Sequence, residues 1–309
     1  MKLLFAGTPE IAVPSLESLV TAGYRVDVLT NPDAASGRGG KVSPSPVKTK
    51  ALELGLVVHQ PARLDASARL LFEGRYDLLV SFAYGRIFGP LFLGLFPQGG
   101  VNVHPSLLPR WRGPSPLSAA ILAGDAQTGI CVQRLAEKMD CGDVLVRLLR
   151  PLDGTETMGS LSGWAATAAA PLLLQALDAI RSGKGKGISQ DESEATYCNL
   201  ISKEDGRLDW SRSAAHLDAQ IRAMDPWPGA FTGWNGQRLT LRRSSVLPGR
   251  LAETNGTVSV DKSKGILIQT GDGLLTVREL QMPGRKSMDF RSFLNGNPAL
   301  VGSRLGEPS

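Results

Sequence analysis

Hydrophobic and polar positions along this 309-residue chain follow two regimes that meet near residue 204. In the first, short apolar runs alternate with helical spacing. Lys2–Ala6 reads as a buried strand, Ile11–Ala22 repeats apolar residues at helical intervals, and Tyr24–Leu29 is a second strand. Thr30–Ser45 reads as a loop rich in Gly, Ser and Pro. Ser45 as cap and Pro46 at the first helical position predict a helix to about Leu54. Val57–His59, Leu78–Phe82 and Val101–Val103 are further short strands, and Pro116–Ala123 is helical. Gly129–Leu135 and Asp143–Leu149 follow as strands, then Thr155–Ser182 as a long helical region. This alternation predicts an α/β fold with a doubly wound, mostly parallel sheet, whose ligands bind beyond the carboxyl ends of its strands.

The pattern changes after the Gly-rich stretch Lys184–Ser189. One helical segment, Ser213–Met224, precedes many short strands with turns at Asn235-Gly236, Asn255-Gly256 and Gly271-Asp272-Gly273. These predict a smaller β-barrel. The expected division is therefore 1–183, a linker at 184–204, and 205–309.

Composition narrows the class. A hydrophobic content of 42% and a charged content of 20% fit a soluble globular protein. Cys131, Cys141 and Cys198 form no CxxC pair, so reduced thiols and a cytoplasmic location are expected. Leu3–Ala6 is too short for a secretory signal. Ala165–Ile180 carries Gln175 and Asp178 and contains Pro171, which predicts an interrupted helix and no membrane span. The net charge of +5 is uneven. From Lys203 onward there are fifteen Lys/Arg against eleven Asp/Glu, or +4, which leaves +1 for the rest. That suits either a polyanionic partner on the C-terminal part or an ordinary basic surface.

Several stretches compete as chemical sites. "FAGTPEIAVP" lacks the second and third glycines of a dinucleotide fingerprint, and "SGRGGK" lacks the spacing of a phosphate loop. Arg38, Lys41, Lys48 and Lys50 against Asp33 still make the latter region basic, either a solvated loop or a finger touching a phosphate backbone. The chain has three histidines, His59, His104 and His216. His104 ends a strand-like run two residues after Asn102, so the two side chains share one side. They form either a site or a strand-end histidine bonded to backbone. Asp140 and Asp143 bracket Cys141-Gly142 in a turn, which is structural unless it lies beside His104. His, Asp and Cys could hold a metal on paper, but no ligand spacing supports one.

"NVHPSLLPRWRG" followed by "MDCGD" resembles the signature of the folate-dependent formyltransferases. "FAGTPEIAVPSL", "GRGGKVSPSPVK", "FAYGRI", "TYCNLISKEDGRLDW", "RAMDPWPGAF" and "QTGDGLL" resemble, in order, blocks of the branch that acts on aminoacylated tRNA. The chain departs from that pattern at Ala34-Ala35-Ser36, Gly40, Phe88-Gly89, Pro114 and Ser118, outside the trio. The resemblance implies a Rossmann-like catalytic domain followed by an OB-like barrel that binds tRNA. It implies Asn102, His104 and Asp140 as the catalytic trio. Ser106, Leu107, Leu108 and Pro109 match a folate-contacting loop, and Arg86, Ile87, Phe88, Phe92 and Leu93 match a pterin pocket. Arg38 matches an arginine used on the tRNA acceptor end, with Lys41 and Lys48 beside it.

The implied reaction moves the formyl group of 10-formyl-tetrahydrofolate, a co-substrate, to the α-amino group of a methionyl initiator tRNA, with no metal. Asn102 and His104 would supply oxyanion donors, and Asp140 would hold the imidazole and take the amine's proton. A monomer is expected. The rivals are a formyltransferase acting on a small amine, such as glycinamide ribonucleotide or an amino sugar nucleotide, and a non-catalytic RNA-binding protein.

Overall fold

Leu3, Leu4, Phe5 and Ala6 are fully buried, so Lys2–Gly7 lies at the centre of its sheet as strand β1. The computed structural model describes residues 1–36, 41–251 and 254–306. After β1 come α1 (Val13–Thr21), β2 (Arg25–Leu29), β3 (Ala34–Ser36), β4 (Lys41–Ser43), α2 (Pro46–Glu53) and β5 (Val58–His59). Next are α3 (Ala66–Leu70), β6 (Leu78–Phe82), α4 (Pro90–Leu93), β7 (Gly100–His104), α5 (Pro116–Ala123), β8 (Gln127–Arg134), β9 (Val144–Pro151) and α6 (Met158–Arg181). The sheet order is β5-β2-β1-β6-β7-β8-β9. Strands pair in parallel from β5 to β7, and β8 and β9 are antiparallel. The predicted doubly wound sheet is therefore present.

Two expectations need correction. Thr30–Ser45 is not all loop: β3 and β4 pair as an antiparallel hairpin, which its Gly- and Ser-rich composition conceals. Arg38 and Gly40 lie outside the described residues, and Lys41 opens β4. Ser45 does cap α2, accepting from the Lys48 amide at 3.1 Å.

The second correction concerns Pro171, which does not interrupt the long helix; α6 runs through it. A proline inside a helix costs about 3 kcal/mol. Burial of Leu172, Leu173 and Leu177 at roughly 2 kcal/mol each outweighs that. By length and composition α6 could cross a membrane, yet Ala165, Ala169, Leu173, Ala176 and Leu177 form a fully buried stripe.

An aromatic cluster follows the carboxyl end of β6. Tyr84 stacks on Phe88 (5.2 Å between ring centroids), Phe88 on Phe92 (5.5 Å), and Phe72 meets Phe92 edge-on (5.5 Å). Phe92 is the hub. Phe92→Ala should destabilise the protein by about 3–5 kcal/mol, read as a lowered denaturation midpoint at unchanged slope; a change under 1 kcal/mol would contradict this packing.

The chain folds into two compact units. The first holds Met1–Pro116, Gln127–Pro151 and Ser162–Asn199; the second holds Leu117–Ala126, Leu152–Leu161 and the chain from Leu200 on. The second unit contains α7 (Ala214–Ala223), β10 (Ala230–Trp234), β11 (Gln237–Leu247), β12 (Val258–Asp261), β13 (Gly265–Gln269), β14 (Leu274–Gln281), β15 (Met288–Asp289) and α8 (Phe290–Gly296). Its antiparallel order is β10-β11-β14-β13-β12, with β15 on β14. Asn235 and Gly236, both at positive φ (49° and 69°), make the two-residue turn between β10 and β11. Closure comes from the chain end rather than from strand pairing. Gly306 bridges Gly233 in β10, and Arg304 bridges Thr257 beside β12.

Candidate active site

β7 ends at His104 between unlike neighbours, parallel β6 and antiparallel β8. In the antiparallel pair Asn102 lies opposite Gln133 and His104 opposite Cys131. Opposed residues share a face of the sheet. Asn102 and Gln133 each donate an amide N–H to Oδ1 of Asp140, at 3.3 and 2.9 Å. The Gly113 amide donates to Oδ2 at 2.9 Å. The hydrogen bonds from Asn102, Gln133 and Gly113 are all donated to the carboxylate.

His104 Nδ1 lies 3.6 Å from the same Oδ1, while Nε2 is 2.9 Å from the Trp111 carbonyl. A carbonyl oxygen only accepts, so Nε2 carries a proton and donates it. The Nδ1 edge therefore faces Asp140. His104 is only 4% exposed. Thus the turn between β8 and β9 does lie beside His104, and the fold brings Asn102, His104 and Asp140 together. The other histidines sit elsewhere. His59 contacts the Tyr76 hydroxyl at 3.2 Å and meets Phe72 edge-on, and His216 lies on α7.

Backbone geometry supports the cluster. Asp140 and Trp111 adopt left-handed φ values of 55° and 60°. Such conformations cost about 1–3 kcal/mol each in a non-glycine residue and persist where surrounding bonds hold them. Trp111 is held by its amide, which donates to Thr196 Oγ1 at 2.9 Å. Two glycines permit close approach. A Cβ at Gly142 would strike the Arg134 carbonyl, and one at Gly113, where φ is +115°, would strike the Cys198 carbonyl. Gly113→Ala should therefore displace the amide that binds Asp140 and lower turnover about tenfold or more. Unchanged steady-state turnover would show that this amide is not needed.

Gln133 is a site residue that the sequence reading misses. It is 1% exposed in the apolar run Gly129-Ile-Cys-Val-Gln133, and a lone buried polar residue there was the available signal. Arg112 is another, 0% exposed and bonded to Gln190, Glu192 and the Tyr197 hydroxyl. Glu192 holds the guanidinium above its ordinary pKa, and Arg112 in turn lowers that of Glu192.

The remaining expected residues are placed as follows. Ser106 is buried and donates to the Arg110 carbonyl at 2.6 Å; Leu108 is buried, and Leu107 and Pro109 are partly exposed. Phe88 and Phe92 belong to the buried aromatic core. Ile87 is 71% exposed and Leu93 half-buried. Arg86 donates to the Pro61 and Ala62 carbonyls. Lys48 pairs with Asp33 at 2.7 Å, and hydrogen bonds from Gln60 first and Lys48 second lower that carboxyl's pKa. Lys50 pairs with Glu17 and Glu53.

Burial pushes the Cys131 thiol up to about 11 and also raises that of Cys198, so neither is a thiolate at neutral pH. Among the described residues no group of three or more His, Cys, Asp and Glu could hold a metal ion.

The family model described as formyl transferase matches residues 1–177, and the one described as formyl transferase, C-terminal domain, matches residues 200–298. The chain belongs to the formyl transferase family. Its similar relatives include the methionyl-tRNA formyltransferase of Treponema pallidum, 45% identical over 320 residues and covering 99% of both chains. The methionyl-tRNA formyltransferase of Symbiobacterium thermophilum is 43% identical over 314 residues, covering 100% of this chain and 96% of its own.

Among solved structures, a sugar 3N-formyl transferase, WlaRD, in the presence of dTDP and 5-N-formyl-THF, superposes with a TM-score of 0.68 at 17% identity. It covers 93% of this formyl transferase and 99% of its own chain. HypX from Aquifex aeolicus in complex with tetrahydrofolic acid gives 0.67 at 18% identity over 97% of this chain and 48% of its own. These two share the fold.

Proposed function

We propose that this formyl transferase moves the formyl group of 10-formyl-tetrahydrofolate to the α-amino group of methionyl initiator tRNA, giving N-formylmethionyl-tRNA and tetrahydrofolate. The carrying observation is the convergence of Asn102, His104 and Asp140 at the end of β7. The tRNA substrate is supported by end-to-end identity to relatives named for it. The folate co-substrate is supported by neighbours crystallised with tetrahydrofolic acid or formyl-THF.

Chemically, the neutral amine attacks the formyl carbon. A free α-amino group titrates near about 8, so much of it is competent at neutral pH. The carbonyl oxygen becomes an oxyanion. The Asn102 amide has two N–H bonds; one reaches Asp140, leaving the second for this oxygen. With Nε2 committed to the Trp111 carbonyl, Nδ1, on the edge that faces Asp140, is the nitrogen left for the reacting centre, and it donates when the ring carries its second proton. Asp140 accepts the amine's proton directly or through water. Collapse breaks the bond to the folate nitrogen, which takes a proton as it leaves.

In this reading residues 1–183 supply the reacting side chains and 205–309 bind tRNA, joined by 184–204, in a cytoplasmic monomer. Lys41 opens β4 and Lys48 lies on α2; in this reading they and Arg38 meet the acceptor end of the tRNA.

Incubation with formylated folate and, separately, methionyl initiator tRNA, glycinamide ribonucleotide and an amino sugar nucleotide tests the assignment. Formyl transfer to the tRNA alone is expected; transfer to a small amine alone would overturn it. Arg38→Ala should weaken tRNA binding but not folate binding. It should also make the log–log salt dependence shallower, by about one unit for each phosphate that is no longer neutralised. Unchanged affinity and slope across a salt series would remove Arg38 from the interface.

A further inference from the structure

The stretch expected to be a linker builds part of the site. Ile188 pairs with Val144 by two backbone hydrogen bonds. Two residues on, Gln190 Nε2 donates to the carbonyls of Asp140 (2.8 Å) and Gly142 (2.7 Å) and lies 3.2 Å from Gln133 Oε1. Its Oε1 accepts from Arg112 Nε at 3.1 Å and Nη2 at 2.9 Å. A guanidinium only donates and a carbonyl only accepts, so the amide has one orientation that satisfies both sides. Arg112 is fixed in turn by Glu192 (2.7 Å), and its amide donates to the Thr196 carbonyl at 2.9 Å.

Two backbone pieces hold the reacting groups. One is 111–113, where the Trp111 carbonyl takes His104 and the Gly113 amide takes Asp140. The other is the 140–142 turn itself. Gln190 ties the second to the Arg112 side chain of the first. We infer that Gln190 is a positioning residue for formyl transfer, clamping the Asp140 turn so that its carboxylate stays against His104. This rests on the proposed formyl-transfer reading. A displacement of about 1 Å in such a site costs about a hundredfold in rate.

The test compares Gln190→Ala and Gln190→Glu with the wild type. An ionised glutamate keeps an acceptor for Arg112 but cannot donate to the Asp140 and Gly142 carbonyls. Both variants should lose at least tenfold in kcat for formylation of methionyl initiator tRNA. KM for tRNA and for formylated folate should stay within about threefold. Wild-type kcat in both variants would overturn the inference. So would full activity in Gln190→Glu alone, because holding Arg112 would then suffice, and so would a KM change at unchanged kcat. Should Gln190→Ala fail to fold, Gln190→Glu decides; failure of both to fold also overturns it.

A second readout needs no activity. The imidazole NMR resonances of His104 should shift in Gln190→Glu while those of His59 and His216 do not. A wild type inactive on tRNA would instead sink the functional reading, and unchanged His104 resonances would sink the positioning role by themselves.

Discussion

His104→Ala is expected to lower kcat for formyl transfer by about a hundred- to a thousandfold, the usual cost of removing one oxyanion donor. The ring is held from both sides, with Nε2 on the Trp111 carbonyl and Nδ1 3.6 Å from Asp140. Its removal deletes the 2.9 Å hydrogen bond to the Trp111 carbonyl, at about 1–3 kcal/mol of stability, while the Cys198 thiol remains 3.8 Å from that oxygen. That is a loss the fold should survive. Folate binding should persist, since the expected folate contacts come from other residues. Steady-state kinetics beside thermal denaturation separates the two effects, and activity within tenfold of wild type would remove His104 from the mechanism.

Asp140→Asn should have an effect of comparable order by a different route. The carboxylate accepts from Asn102 and Gln133 on one oxygen and from Gly113 on the other. An asparagine offers one oxygen. If it replaces Oδ1, its NH2 meets the Gly113 N–H; if it replaces Oδ2, its NH2 meets both amides. The turn is thus strained at a residue already at φ +55°, and the acceptor for the amine's proton is lost. A hundredfold or greater fall in kcat is expected in the folded fraction. Melting without a rate effect in that fraction would make Asp140 a structural turn residue only.

The sheet was legible because its strands are short apolar runs bounded by Pro, Gly and capping residues. Leu78–Phe82 and Pro116–Ala123 fall at the bounds the pattern predicts. The β3–β4 hairpin was not legible, because Ala34–Ser36 and Lys41–Ser43 are too short for a period-2 signal. Short helices such as α3 and α4 escaped for the same reason. The Asn102–His104 pair was readable from strand geometry, since i and i+2 share a face. Its union with Asp140 depends on long-range pairing, which spacing does not encode; there a motif resemblance supplied what periodicity could not. Gln133 and Gln190 were hidden because register decides that Gln133 opposes Asn102, and only the folded chain brings Gln190 over the 140–142 turn.

That Asn102, His104 and Asp140 act as one unit on the formyl carbon is tested most directly by a single measurement. It is the single-turnover rate of formyl transfer to methionyl initiator tRNA, at saturating formylated folate, for Asn102→Ala, His104→Ala and the double variant. Residues that act as a unit are strongly non-additive. The double variant should therefore be about as slow as the slower single, each single being at least about a hundredfold below wild type. Singles within tenfold of wild type, or a double variant showing the full product of two independent losses, would contradict it.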